Sequence, residues 1–473
     1  MDHHLYSDFI WSGDTEVKIV MNLIASNKSI VVLGLGVTGL SVVRYLRRKN
    51  QYFTVMDSRK NPPGLDVFQR EFKDVRICLG EFDQSILNNS TQIIISPGID
   101  LKIPEVAAAI AAGIEVMGDV ELFARELLEQ KSQKPLIAIT GTNGKTTVTT
   151  LVGQMAKDSG LKVAIGGNIG KPVLDLLEED FDIYVLELSS FQLETTQSLK
   201  PKVASILNIT LDHMDRYDSL MEYHRVKQRV YFGAENIVAN RADPLTQPPL
   251  AKGVSLYSFG IDQPDRNGFG TRVDNGQAII VHEFSKLLPV NQLKIRGQHN
   301  IANAIAAMAI GYVANFPIQS MLSTLKSFHG LPHRCQWIAN INGINFFNDS
   351  KATNVGATIA ALSGFGSNKK NIILITGGES KGADFSPLKP VIHRFVSSLI
   401  LIGCDANLIV DAIDNDEKVE FAKTLKESVA IAKSHAIKGD IVLFSPACAS
   451  FDMFINYEDR GNQFIDAVKG IAA

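Results

Sequence analysis

The run Gly141-Thr142-Asn143-Gly144-Lys145-Thr146-Thr147 places two glycines, a lysine and a hydroxyl between an apolar stretch, 136–139, and a helical pattern. Glycines let backbone amides turn inward around phosphate oxygens, Lys145 adds a cation, and Thr146 offers a hydroxyl to Mg²⁺. The loop is a shortened P-loop, because Thr140 and Ile139 stand where the general pattern places its first glycine. The chemistry it predicts is binding of ATP with Mg²⁺. A Gly-rich turn closed by a capping threonine is the bland alternative.

A second glycine cluster, Gly34-Leu35-Gly36-Val37-Thr38-Gly39, follows the apolar run 30–33, and Asp57 closes the next run. This is the pattern of a turn that holds a nucleotide diphosphate. Val37 and Thr38 sit in the turn, Asp57, Ser58 and Arg59 are placed to meet a ribose or uracil and its phosphates, and Ser96-Pro97-Gly98 ends a neighbouring run. Tight helix–strand packing without a ligand explains the same glycines. Glu187 ends the run 183–187, where the carboxyl end of a parallel strand turns a side chain toward a ligand crevice, so it reads as an Mg²⁺ ligand. Asp212, His213 and Asp215 follow the run 203–207 and suit a second metal, although a lone histidine is equally a structural residue. Lys227, within HRVKQRV, reads on its own as a solvated surface lysine.

These groups need strand ends to hold them. Continuous apolar runs at 30–33, 53–56, 93–95, 136–139, 183–188, 372–376, 398–402 and 441–444 predict strands covered on both faces. Helical segments between them make parallel βαβ units, hence an α/β chain. The Ala-rich stretch 299–315 predicts a buried helix. A length of 473 residues suits three domains. The linkers KSQKP (131–135) and HGLPHR (329–334) cut them at 1–132, 133–331 and 332–473, with 1–29 an extension of unknown role. Forty-seven basic against 50 acidic residues, net charge −3, argue against nucleic acid as the main partner. Four scattered cysteines, no secretory leader and no long apolar run predict a cytoplasmic protein that does not span a membrane.

The motifs GLGVTG, GTNGKTT, GGNIG, ELSSFQL, NITLDHMDRY, GQHNIAN, GLPHR, NDSKATN, GADFSPL and SPACASFD occur in this order over about residues 30–473. In them the chain closely resembles the Mur ligases of bacterial cell-wall synthesis. The resemblance implies an N-terminal Rossmann-like domain for UDP, a central P-loop ATPase-like parallel sheet for ATP, and a C-terminal Rossmann-like domain for the incoming amino acid. By the same resemblance Gly141 through Thr147 hold ATP with Asn300, Asn303, Arg334 and Asp349, and Asn168 meets the UDP-sugar substrate. Thr353, Lys381, Ser450, Phe451 and Tyr457 would frame the amino acid. Thr146, Glu187, His213 and Lys227 would serve the metal, Lys227 as a carbamate, and Lys145, Glu187, His213 and Lys227 would form the catalytic set. Leu211 stands where other members often carry an acid.

The implied reaction joins D-glutamate to UDP-N-acetylmuramoyl-L-alanine through an acyl phosphate, using ATP and Mg²⁺, in a monomeric enzyme. The DNPR signature of members that add diaminopimelate or lysine is absent, which favours D-glutamate. A sister ligase with another amino acid, or a folylpolyglutamate synthase-like amide ligase, is the nearest rival. A dinucleotide-binding oxidoreductase or nucleotide sensor would rest on GLGVTG alone and leave GTNGKTT and Glu187 without a role.

Overall fold

A computed structural model describes residues 29–249, 253–366, 369–413 and 418–472. The segment 1–29, apart from Ser29, therefore lies outside the described residues. The chain forms two compact units.

The first unit runs to Lys131 and also takes in Lys171–Glu178 and Glu194–Gln197. Its sheet is parallel throughout, from β1 (Ile30–Leu33), β2 (Phe53–Asp57), β3 (Ile77–Leu79), β4 (Gln92–Ile95) and β5 (Glu115–Met117), in the order β3-β2-β1-β4-β5. β1 and β4 are buried along their whole length, as their unbroken apolar runs require. Among the bonds that tie the later segments in, Ser41 Oγ donates to Asp175 at 2.6 Å, Arg48 pairs with Glu178, and the Gln197 N–H donates to Glu121 at 2.7 Å.

The second unit holds two sheets. One contains β6 (Leu136–Thr140), β7 (Val163–Gly167), β8 (Ile183–Glu187), β9 (Val203–Ile206), β10 (Asn236–Asn240), β11 (Ser255–Phe259), β12 (Gly268–Asp274), β13 (Gln277–His282) and β14 (Ser285–Pro289). Their order is β14-β13-β12-β11-β10-β9-β6-β8-β7. The strands from β7 to β12 pair in parallel, but β13 and β14 pair antiparallel, so the central sheet is not parallel throughout as expected. The extension turns at Asn275-Gly276, both with positive φ (48° and 77°), the geometry that a two-residue hairpin turn demands. The Ala-rich stretch forms helix Gln298–Val313, which lies against helix Lys145–Asp158 in the core of this sheet.

The other sheet contains β15 (Gln336–Ile341), β16 (Ile344–Asn348), β17 (Ile372–Gly377), β18 (Val396–Ile402), β19 (Val419–Phe421) and β20 (Ile441–Phe444), ordered β15-β16-β20-β17-β18-β19. It is parallel except for β15, which hairpins onto β16 through a second positive-φ pair, Asn342-Gly343. β20 enters between β16 and β17, so the loops after β16 and β20 leave the same sheet edge side by side.

Candidate active site

β6 ends at Thr140, and the following loop turns through Gly144 into helix Lys145–Asp158. Gly144 has φ +83°, and a Cβ there would lie 2.5 Å from Asn303 Oδ1, so both conformation and space require glycine. Asn208, after β9, braces the loop from the other side: its Oδ1 accepts the Asn143 N–H at 2.8 Å and its Nδ2 donates to Asn143 O at 2.9 Å. Lys145 Nζ folds onto the loop and donates to the carbonyls of Gly141 (2.8 Å) and Thr142 (2.7 Å). Burial holds its amine below the ordinary value, opposed by the attraction of Glu187 and Asp212.

Glu187, at the end of β8, is 1% exposed. Its Oε1 accepts from Asn168 Nδ2 at 2.8 Å, while Oε2 is buried with no hydrogen-bond partner. Lys227 is carried by helix Leu220–Gln228, which starts at Ser219, whose hydroxyl accepts the Glu222 N–H at 3.2 Å. This lysine is also 1% exposed, against the solvated surface position its local sequence suggests. The helix turns it inward, where Nζ donates to Gly141 O at 2.9 Å and lies 4.6 Å from the Tyr223 ring centre. Burial, reinforced by the nearby Lys145 cation, drives its pKa well below the ordinary value despite Asp212 and Glu187. His213 packs edge-on against Phe191, with ring centres 4.7 Å apart. Burial keeps its imidazole below the ordinary value, and Lys145 and Lys227 oppose the pull of Asp212 and Asp215. Lys145, Glu187, His213 and Lys227 therefore share one electrostatic neighbourhood.

A cavity of about 300 Å³ opens beside the loop, lined among others by Asn143, Gly144, Thr147, Asn300, Asn303, Arg334 and Asp349. Arg334 reaches the loop, its Nη2 donating to Thr146 Oγ1 at 2.6 Å. Asp349 accepts from the Cys335 N–H (3.1 Å) and Ser445 Oγ (2.9 Å), yet burial pushes its carboxyl up to about 6. Asn208, Cys335 and Lys351 line the same cavity and were not singled out from the sequence. Lys351, inside NDSKATN, has its amine lowered to about 8 by burial and by Arg334, and lies 3.7 Å from the Tyr457 ring centre.

Lys381 Nζ stands 5.2 Å from the Phe451 ring centre, with Phe451 64% exposed. Ser450 is buried beside it in sequence, whereas Thr353 is exposed, and no hydrogen bond joins Thr353 to Lys381 or Ser450 among the described residues.

In the first unit, Val37 and Thr38 open helix Val37–Arg48, Val37 with 72% of its surface exposed. Gly34 has φ +92°, and a Cβ there would meet Ser96 Oγ at 2.7 Å, which brings the turns after β1 and β4 together. Asp57 is 2% exposed and faces the turn itself: Oδ2 accepts the Leu35 N–H (2.7 Å) and Arg59 Nη2 (2.7 Å), and Oδ1 accepts Arg59 Nε (2.8 Å). Burial raises its pKa, but the bonds from Arg59 and Leu35 overcome that and hold the carboxyl below the ordinary value. Asp57→Ala should destabilise the protein by ~1–3 kcal/mol, because the buried Leu35 N–H loses its acceptor. Denaturant unfolding would measure it, and an unchanged midpoint would show that the turn holds itself.

Three family models match in order: Mur ligase MurD-like, N-terminal domain, over residues 28–118; Mur ligase middle domain, over 139–311; and Mur ligase, glutamate ligase domain, over 333–448. The UDP-N-acetylmuramoylalanine--D-glutamate ligases of Pseudomonas fluorescens and Pseudomonas aeruginosa are each 47% identical over 453 residues, 96% of this chain and 100% of theirs. Among solved structures, a pseudomurein peptide ligase type C from Methanothermus fervidus has a TM-score of 0.59 at 21% identity, covering 94% of this chain and 100% of that one. UDP-N-acetylmuramate-alanine ligase MurC from Thermotoga maritima has a TM-score of 0.57 at 17% identity, covering 94% and 99%. Both share the fold. With an ATP-type phosphate loop, a buried carboxylate and lysine beside it, and matching models over most of its length, the chain belongs to the Mur ligase family.

Proposed function

We propose that the protein joins the amino group of D-glutamate to the lactoyl-alanyl carboxylate of UDP-N-acetylmuramoyl-L-alanine at the cost of ATP, a step of peptidoglycan precursor synthesis. The full-length identity to D-glutamate ligases carries this reading. A carboxylate cannot form an amide directly, because its leaving group would be oxide. Its oxygen instead attacks the γ-phosphorus of ATP and ADP leaves. The D-glutamate amine then attacks the resulting acyl phosphate, loses a proton, and phosphate departs.

In this reading Gly141 through Thr147 cradle the phosphates, and Lys145 swings from the Gly141 and Thr142 carbonyls onto the transferring phosphoryl group. Asn300, Asn303, Arg334 and Asp349 hold the nucleotide in the adjoining cavity. Val37, Thr38, Ser58, Arg59, Ser96, Pro97 and Gly98 serve the UDP, with Asp57 shaping their turn, and Asn168 serves the sugar. Thr353, Lys381, Ser450, Phe451 and Tyr457 receive D-glutamate. Mg²⁺ would be held first by Glu187, whose Oε2 is an orphaned buried oxygen, with the Thr146 hydroxyl and a carbamylated Lys227 as further oxygen donors and the His213 imidazole as a softer one. When bound, the metal neutralises phosphate charge. Carbamylation is supported by the depressed pKa of Lys227: a neutral amine adds to CO₂, forming an N–C bond and releasing a proton. We also propose a cytoplasmic monomer; no helix of the described residues is long and apolar enough to cross a membrane.

A panel of amino acids assayed by phosphate release tests the proposal. D-Glutamate should be used at least ~10²-fold better in kcat/KM than L-glutamate, L-lysine or diaminopimelate, since a site built for two carboxylates of one hand leaves buried groups unpaired with the others. Preference for another amino acid would make the chain a sister ligase, and use of a folate substrate a folylpolyglutamate synthase-like enzyme.

A further inference from the structure

Arg460, on the first turn of helix Tyr457–Ala472, is the largest fully buried side chain among the described residues. Burial lowers its pKa to about 10, so it stays charged at neutral pH, yet no carboxylate is among its hydrogen-bond partners. Asp452 attracts the guanidinium from nearby, while the fork itself is given to neutral oxygens. Its partners are four oxygens on two loops. Nε donates to Ser350 Oγ (3.1 Å) and Nη2 to Ser350 O (2.7 Å), while Nη1 donates to Cys448 O (3.1 Å) and Ala449 O (2.9 Å). Ser350 lies between Asp349 and Lys351 of the cavity, and Ala449 immediately precedes Ser450.

A planar trans peptide points its C=O and the following N–H in opposite directions. The Ala449 carbonyl accepts from Arg460 Nη1 and from the Glu379 N–H (3.2 Å), so the Ser450 N–H must face away from both. That N–H has no acceptor among the described contacts although Ser450 is 3% exposed, and buried amides are seldom left so. The approach leaves no spare room: at Gly378, φ +139°, a Cβ would lie 2.3 Å from Ala449 O and 3.4 Å from Arg460 Nη1.

We infer that Arg460 is a positioning residue for the amino-acid acceptor: together with the Glu379 bridge it holds the 449–450 peptide so that the Ser450 N–H meets a carboxylate of the incoming amino acid, and it locks that loop to the Asp349–Lys351 loop of the nucleotide cavity. The inference rests on the reading that Ser450 and Lys381 receive D-glutamate. Lysine keeps the charge but cannot span both loops with a planar fork.

Steady-state kinetics of the full-length Arg460→Lys variant test it. KM for D-glutamate should rise ~10-fold or more while KM for ATP and for the UDP substrate stay within about twofold. An unchanged KM for D-glutamate, or an equal rise in all three, overturns the inference. Should that variant fail to fold, Ser350→Ala removes one of the four acceptors and should shift the D-glutamate KM alone, by ~3-fold; no shift counts against the inference. Lys381→Met is measured in parallel. If it raises the D-glutamate KM while Arg460→Lys does not, the acceptor site stands and the role of Arg460 falls. If Lys381→Met leaves that KM unchanged, the acceptor site itself is misplaced.

Discussion

Lys145→Ala should lower the rate of ADP formation by ~10³-fold or more while the protein stays folded and still binds UDP-N-acetylmuramoyl-L-alanine. In the structure this amine donates only to two loop carbonyls, at 2.8 and 2.7 Å, so its loss costs the fold little. In phosphoryl transfer it is the one cation of the loop itself, and no neighbouring side chain of the loop replaces it. Single-turnover measurement of ADP, with circular dichroism and a calorimetric titration of the UDP substrate, separates the effects. Near-normal turnover would remove the phosphate loop from the mechanism.

Lys227→Ala should cost ~10²–10³-fold in kcat, and millimolar acetate or formate should restore part of it by filling the vacated anionic position. The sign follows from the burial of this amine. Burial and Lys145 hold its pKa well below the ordinary value, which favours the neutral amine that adds to CO₂, and the carbamate places an anion beside Lys145. Carbamate formation releases a proton, so activity should also fall on acidification and on thorough removal of CO₂, and return with bicarbonate. Full activity of the alanine variant, or an unmodified Lys227 amine in a high-resolution map of crystals grown with bicarbonate, would refute the carbamate.

The strands of the three sheets were legible where burial on both faces gives an uninterrupted apolar run, as in β1, β4, β6 and β17. The antiparallel additions β13, β14 and β15 were not read: β13 does carry a short unbroken run, Ala278-Ile279-Ile280-Val281, buried at 279–281, whereas β14 opens on two exposed polar residues and β15 is largely half-exposed. Their local signal is the Asn-Gly pairs at 275–276 and 342–343. For the site, residue type and spacing marked Lys145 and Glu187. Lys227 looked solvated in HRVKQRV, since nothing in seven residues tells which side of a short helix faces the phosphate loop. Arg460 left no local mark either: its four acceptors are backbone or serine oxygens that come from Ser350, Cys448 and Ala449.

The first unit is completed by Lys171–Glu178 and Glu194–Gln197. During synthesis, then, its first 131 residues emerge before the partners of Ser41 and Glu121 exist. At ~5–20 residues per second, the wait for roughly 65 more residues is several seconds. Over that interval the hydroxyl of Ser41 and the carboxylate of Glu121 lack the partners at Asp175 and Gln197 that the finished fold gives them. A nascent chain stalled between residues 131 and 197 should therefore be more open to proteolysis in this unit than one released beyond it.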